Sequence, residues 1–235
     1  MRKRFLAIIP ARSGSKGLKN KNILNFCKKP LIYWTIKAAQ NCKVLDEIVV
    51  STDSKKIKSI AEKFDAKVPF LRPKKISQDN SPSYLLVEHC INFFKKKKIY
   101  FDFIVLLEPT SPIRKKNDIE NSIKKFLENK LDSLISLGRV FEHPYVIKKI
   151  SGNKALNFLH TKNKYINRQT LPELYFPYGV IYISKTNSYL KNKTFYSKKT
   201  GYYLLEDYQN LEIDNIYDFY SAEAIFKKLK LDYKL

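Results

Sequence analysis

The stretch that most constrains the fold runs from Phe5 to Asn22. An apolar run, Phe5 to Ile9, stops at Pro10 and opens into a loop holding Ser13, Gly14, Ser15 and Gly17 before Ile23 resumes an apolar pattern. Such a loop suits an anion. Glycines at 14 and 17 let backbone N–H groups approach a ligand without interference from a Cβ, and Arg12, Lys16, Lys19 and Lys21 supply charge for several phosphates. That fits a nucleoside triphosphate better than a monophosphate. The loop carries neither GxxxxGK[ST] nor GxGxxG, so the two common nucleotide motifs lose their main support. A surface turn rich in lysine, glycine and asparagine is the competing reading.

Beyond the loop, strand and helix patterns alternate. Leu31, Trp34 and Ala38 fall at helical spacing behind Pro30, which suits a first helical turn. Asp46 to Ser51 reads as a short buried strand, and Ile57, Ile60, Ala61 and Phe64 form a helical set capped by Asp53 or Ser54. Lys67 to Phe70 reads as another short strand. A helix follows with Tyr84, Val87, Ile91 and Phe94 on one face, closed by Lys95 to Lys98. Phe101 to Leu107 is the most apolar run and belongs in the sheet centre. It ends in the proline-bracketed loop Glu108 to Arg114, on the side where open α/β sheets bind ligands. Asn117 with Glu120 resembles a capping box for the next helix. The alternation implies right-handed βαβ units, hence a three-layer α/β fold around a mostly parallel sheet. At 235 residues the chain suits one such domain, residues 1–235.

From Arg139 to Tyr178 helical periodicity disappears. Tyr145 to Ile150 and Ala155 to Leu159 flank Ser151-Gly152-Asn153, which reads as a hairpin, so residues 139–178 form an antiparallel flap inserted in the domain. Gly179 to Ile183 then returns to the core as a strand. Leu211 to Asp214 reads as a last strand, and Asn215 with Asp218 opens a helix bearing Phe219, Ala222, Phe226 and Leu229.

Composition narrows the function. The net charge of +23 invites a nucleic-acid reading, yet only seven of the 45 basic residues are arginine, and lysine-coated surfaces are more often solvation than base recognition. No nucleic-acid partner is expected. No apolar run is long enough to span a bilayer and no signal peptide is visible, so no membrane partner is expected and the protein is placed in the cytoplasm. Cys27, Cys42 and Cys90 are widely spaced without a C-x-x-C pair, and His89, His143 and His160 stand apart, which argues against a disulfide framework or a zinc site.

Glu212 and Asp214 lie two apart in the expected last strand, so both carboxylates project from one face, just before a helix cap. Carboxylates there could hold Mg²⁺, an ion that keeps waters and is shared with substrate phosphates. The alternative is that Asp214 only assists the cap.

Five segments taken together resemble the acylneuraminate cytidylyltransferase family, the CMP-sialic acid synthetases. They are AIIPARSGSKGLKNKN from Ala7, STDS from Ser51, LRP from Leu71, LLEPTSPIR from Leu106 and EID from Glu212. They occur in the family's order and extend over nearly the whole chain. The resemblance implies a nucleotide-diphospho-sugar transferase type of α/β fold. It also implies an Mg²⁺-dependent reaction of CTP with an acidic nine-carbon 2-keto sugar, giving the CMP-sugar and pyrophosphate.

Carried over by position, the resemblance implies that Arg12 and Lys21 hold the triphosphate within the loop Ser13, Gly14 and Ser15, and that Asn22 contacts the nucleotide. Arg72 and Ser83 match positions near cytosine and ribose, with Ser81 in the same segment. Glu108 stands where the family often has a glutamine that meets the sugar, and Arg168 matches an arginine of the sugar pocket. Glu212 and Asp214 match the metal-binding pair, so Arg12, Lys21 and Asp214 are the expected catalytic residues. Residues 139–178 resemble the family's dimerisation insertion, implying a homodimer. Two departures, the acidic Glu108 and Tyr178 in place of the usual asparagine before Gly179, bear on the acceptor's identity. Rival readings are a cytidylyltransferase for an eight-carbon sugar acid and a catalytically silent, basic nucleic-acid-binding relative.

Overall fold

The computed structural model describes residues 2–15, 17–159 and 167–229. The first strand, β1 (Phe5–Pro10), leads into the loop, which ends in a two-residue antiparallel ladder, β2 (Asn25–Phe26) with β3 (Lys29–Pro30). Helix α1 (Leu31–Asn41), strand β4 (Glu47–Ser51) and helix α2 (Lys55–Glu62) follow. Helix α3 (Tyr84–Lys96), strand β5 (Phe103–Leu106), helix α4 (Asp118–Glu128) and strand β6 (Ser133–Arg139) continue the alternation. After the hairpin β7 (Lys148–Ser151) and β8 (Lys154–Asn157) come the long strand β9 (Tyr175–Lys185), helix α5 (Thr186–Asn192), strand β10 (Thr200–Leu204) and helix α6 (Ile216–Lys228).

The central sheet has the order β10-β6-β9-β5-β1-β4. β1 pairs in parallel with β4 and β5, and β10 in parallel with β6, whereas β9 runs antiparallel to both its neighbours. The expected mostly parallel sheet is thus present, with one opposed strand near its middle. Alternation along β1 shows how it is sandwiched. Phe5, Ala7 and Ile9 join one buried cluster with Ile32, Ile57 and Ile123 of α1, α2 and α4, while Leu6 and Ile8 join another with Val87 and Ile91 of α3. A third cluster gathers Phe26, Trp34, Ile113, Ile213, Phe219 and Phe226. It matters most here, because it puts the loop after β5 and the segment before α6 on one foundation. Among the described residues no helix is long and apolar enough to cross a membrane.

Several local expectations are corrected. Leu211–Asp214 is not a strand. Its alternation is real, since Ile213 is fully buried between two carboxylates, but its backbone is anchored by Ile213 N–H to the Thr110 carbonyl at 2.8 Å rather than to the sheet. The edge place beside β6 belongs to β10, whose exposed Tyr202 and Leu204 hid it among polar neighbours. Lys67–Phe70 contributes only an isolated bridge, Val49 to Lys67. The Asn117 side chain makes no cap. Instead Asp118, wholly buried, accepts from Lys115 N at 2.6 Å and Gln209 Nε2 at 2.7 Å. Of the two candidates for the α2 cap, Ser54 serves, accepting from Ile57 N at 3.3 Å. The Asn215–Asp218 capping box forms as expected, and so does the hairpin, with Gly152 in the left-handed region its turn requires.

Candidate active site

A cleft of about 240 Å³ opens at the carboxyl ends of β1 and β5. Its walls come from three parts of the chain: the loop after β1, with Arg12, Ser15, Lys21 and Asn22; the segment before α3, with Arg72, Ser81 and Ser83; and the loop after β5, with Glu108 to Thr110. Eight residues expected from the sequence to meet substrate therefore line one space.

Carboxylates and amides hold the loop wall in shape. Asp53 accepts from Ser13 N at 2.9 Å and Ser13 Oγ at 2.7 Å, so the aspartate at the end of β4 pins the loop's first turn. Asn22, 5% exposed, reaches back with Nδ2 to the Arg12 carbonyl at 3.0 Å. Arg12 Nη1 donates to the Gly14 carbonyl and pairs with Asp79 of the segment before α3. Lys21 Nζ, whose side chain is 12% exposed, sits 2.8 Å from Asp214 Oδ1. The two glycines differ. A Cβ at Gly14 would meet only ordinary contact, whereas one at Gly17 would lie 2.1 Å from the Asp214 carbonyl oxygen. Gly17 is needed to press the loop against the acidic segment.

In the second wall Arg72 is 4% exposed, its backbone N–H donating to Thr52 O at 2.7 Å and its Nε to Ser77 Oγ at 2.9 Å. Burial pushes its pKa down, opposed by the charge of Asp53. Ser81 Oγ accepts from Gln78 N at 3.1 Å, tightening the turn, and Ser83 precedes α3 without a side-chain capping bond and lines the cleft.

The third wall is acidic and tightly packed. Glu108 and Glu212 lie close enough that the ionisation of one bears on that of the other. Burial comes first among the causes and raises both; for Glu212 the adjacent Glu108 charge adds to it, carrying it to about 8, while Lys21 works the other way. Behind Glu108 stands Arg114, 1% exposed. Its guanidinium donates to Val180 O at 2.9 Å, Thr35 Oγ1 at 2.8 Å, Glu108 O at 2.8 Å and Gly179 O at 3.2 Å.

The fold thus brings the glycine-bearing loop and the Glu212–Asp214 segment face to face, through Lys21 and Gly17. Asp214, its side chain 72% exposed, and Glu212 offer hard oxygen donors beside the cations that would face a polyphosphate. Among the described residues no closed set of three ligands exists. Two carboxylates suit an ion such as Mg²⁺ that completes its shell with water and phosphate. Arg168 opens a short 3-10 turn, Arg168–Thr170, on the flap, and its side chain lies outside the described residues, as does Lys16. Sequence reasoning missed Asp53, Asp79 and Arg114 as parts of this site. Asp53 and Arg114 lie in segments that carry the family resemblance, STDS and LLEPTSPIR, but the sequence offers Asp53 no role beyond a helix cap and Arg114 none, although an arginine among prolines and apolar residues signals a buried hydrogen-bonding hub.

Residues 6–234 match the family model described as cytidylyltransferase. The N-acylneuraminate cytidylyltransferase of Escherichia coli O18:K1:H7 is 33% identical over 229 residues, which are 97% of this chain and 53% of that protein. The pseudaminic acid cytidylyltransferase of Campylobacter jejuni (serotype O:23/36) is 30% identical over 225 residues, 94% of this chain and 96% of that one. The chain therefore spans about half the length of the first relative and nearly all of the second. Among solved structures, CMP:2-keto-3-deoxy-manno-octonic acid synthetase complexed with CTP superposes with a TM-score of 0.70 at 15% identity, covering 97% of this chain and 100% of that one, a likeness of fold.

Proposed function

From the premise that this chain belongs to the cytidylyltransferase family, we propose that it transfers the cytidylyl group of CTP to a nine-carbon 2-keto sugar acid, releasing pyrophosphate. The observation that carries the reading is the 2.8 Å contact of Lys21, a residue of the cleft wall, with Asp214, by which the acidic segment is brought directly against the cationic loop.

In this reading Arg12 and Lys21 exchange their carboxylate partners for triphosphate oxygens, with the N–H groups of Ser13 to Ser15 alongside. Asn22, Arg72, Ser81 and Ser83 hold the nucleoside. Glu108, and Arg168 from the flap, take the sugar acid. The acceptor hydroxyl attacks the α-phosphorus, a new O–P bond forms, and the bond to the β-phosphate oxygen breaks in line. The hydroxyl proton goes to Glu212 or to a metal-bound hydroxide; Glu212, its pKa raised to about 8 in the metal-free protein, can take it only once ionised, as a bound cation would favour, and unchanged turnover of Glu212→Gln at saturating magnesium would remove its part. Glu212 and Asp214 would hold Mg²⁺, which supplies charge neutralisation for the phosphates. Lys21 and Arg12 meet the charge that grows on the departing pyrophosphate.

We also propose a homodimer formed through the flap. All eight residues of β7 and β8 are exposed, and Ile150, Phe158, Phe141 and Phe176 present large apolar surface nearby, Ile150 being 85% exposed. A two-stranded hairpin this open is marginal alone. A monomeric mass in light scattering at micromolar concentration contradicts the dimer. The reaction is placed in the cytoplasm, where CTP is made. The activity is tested by magnesium-dependent pyrophosphate release from CTP over a panel of sugar acids. Release with a nine-carbon acid supports it; release only with an eight-carbon acid, or with none, overturns it.

A further inference from the structure

β9 is continuous but bulges against β6. Its pairing with β6 jumps from Ile135 opposite Tyr182 to Leu137 opposite Pro177, so Tyr178 to Ile181 bulge opposite Ser136 alone. Ser136 compensates from one side: its Oγ accepts from Ile181 N at 2.9 Å and lies 2.6 Å from the Tyr178 carbonyl it donates to. Arg114 compensates from the other, taking the carbonyls of Gly179 and Val180. Bulges beside binding sites re-aim side chains.

The side chain re-aimed here is that of Glu108. Its N–H donates to Gly179 O at 3.0 Å, and Arg114 Nη2 binds Glu108 O and Gly179 O together. An added Cβ at Gly179 would lie 2.6 Å from Glu108 Oε2, 2.8 Å from its Cβ and 2.9 Å from its Cδ. Real Cβ atoms do not come so close, so any side chain at 179 forces the whole Glu108 side chain elsewhere. Gly179 has no left-handed backbone to explain it. Its want of a side chain serves Glu108.

We propose that Gly179, clamped by Arg114, is a specificity-determining positioning residue: by vacating the space Glu108 occupies, it fixes where that carboxyl points and hence which sugar acid is accepted. The inference deepens the proposed function and rests on it, since it takes Glu108 to face the acceptor. Gly179 is not among the residues lining the cleft with Arg12, Arg72 and Ser83, so its substitution should reach the acceptor through Glu108 and leave CTP binding largely unchanged.

The test measures Gly179→Ala against wild type for acceptor KM over a panel of nine-carbon acids, for CTP Kd by calorimetry without acceptor, and for Tm. Expected are a rise of about tenfold or more in acceptor KM, a changed order of preference among the acids, and a CTP Kd within twofold. In a Glu108→Ala background Gly179→Ala should change the order of preference no further, because the effect passes through Glu108. Should Gly179→Ala not fold, Arg114→Lys loosens the same clamp without adding a methyl and should raise acceptor KM several-fold at unchanged CTP Kd. An active wild type whose preference survives Gly179→Ala, or parallel losses of CTP and acceptor binding in either variant, overturns this inference alone. A wild type silent toward every acid overturns the activity and the inference with it.

Discussion

Two of the three walls of the cleft are built on opposite principles. On the loop side, Arg12 and Lys21 are held by ion pairs with Asp79 and Asp214 that a triphosphate can replace. On the Glu108 side, Arg114 is sealed in the interior with four hydrogen bonds and Gly179 leaves no slack. Ion pairs with a partner open to water, as Asp214 is, are worth about 1 kcal/mol each, whereas stripping a buried guanidinium from its acceptors costs several times more. Under the proposed function, the exchangeable wall would meet the triphosphate and the locked wall the sugar acid, so discrimination would be stored where the protein cannot relax.

The comparison is broken most directly by Arg114→Met. Leaving Glu108 O, Gly179 O and Val180 O without their donor in the interior should cost about 3–5 kcal/mol, read as a lower urea midpoint. A loss under about 1 kcal/mol means the wall is not locked. Lys21→Met should leave stability within about 1 kcal/mol while lowering kcat/KM about 100-fold, the scale expected when a charge-stabilising donor is lost. A large stability loss instead would make Lys21 a strut.

A third experiment sharpens the contrast through pH. The folded protein keeps a proton on Glu212 up to about pH 8, whereas an unperturbed glutamate loses it near 4.5. The folded state therefore binds more protons, and stability is fully present below pH 4.5 and lost as pH rises through 8. Glu212→Gln should flatten the fall of Tm between pH 5 and 9 in metal-free buffer, by about 2–4 °C at the upper end. An unchanged slope removes the proton held on Glu212. The smallest effect belongs to Asp79→Asn. Freeing Arg12 from this pair should tighten CTP binding by about two- to fivefold, with acceptor KM unmoved.

Much of the fold was legible because period carries it. The unbroken apolar run Phe5 to Ile9 marks a strand buried on both faces, and the spacing of Val87, Ile91 and Phe94 marks the buried face of α3. The site was legible to the degree that charge and glycine cluster locally, as in the loop. What stayed hidden depends on long-range geometry. Nothing local marks β10, an edge strand whose outward residues are tyrosine and leucine. Asp53 and Asp79 look like ordinary turn residues until the sheet brings Ser13 and Arg12 to them. The Glu212–Asp214 segment was read with the right facing and the wrong partner, since alternation reveals which side is buried and not whether the neighbour is a strand or a loop.

Helix α6 reaches the chemistry through its cap. The carboxylate of Asp218 accepts from Asp214 N at 2.9 Å and Asn215 N at 3.0 Å, so Asp214, proposed above as a metal ligand, hangs from the first turn of a helix that contributes no residue to the cleft. In a saturation screen scored by turnover, position 218 should light up beside the true contact residues. Separating scaffolding hits from substrate-touching ones will need binding data, because a growth readout blends them.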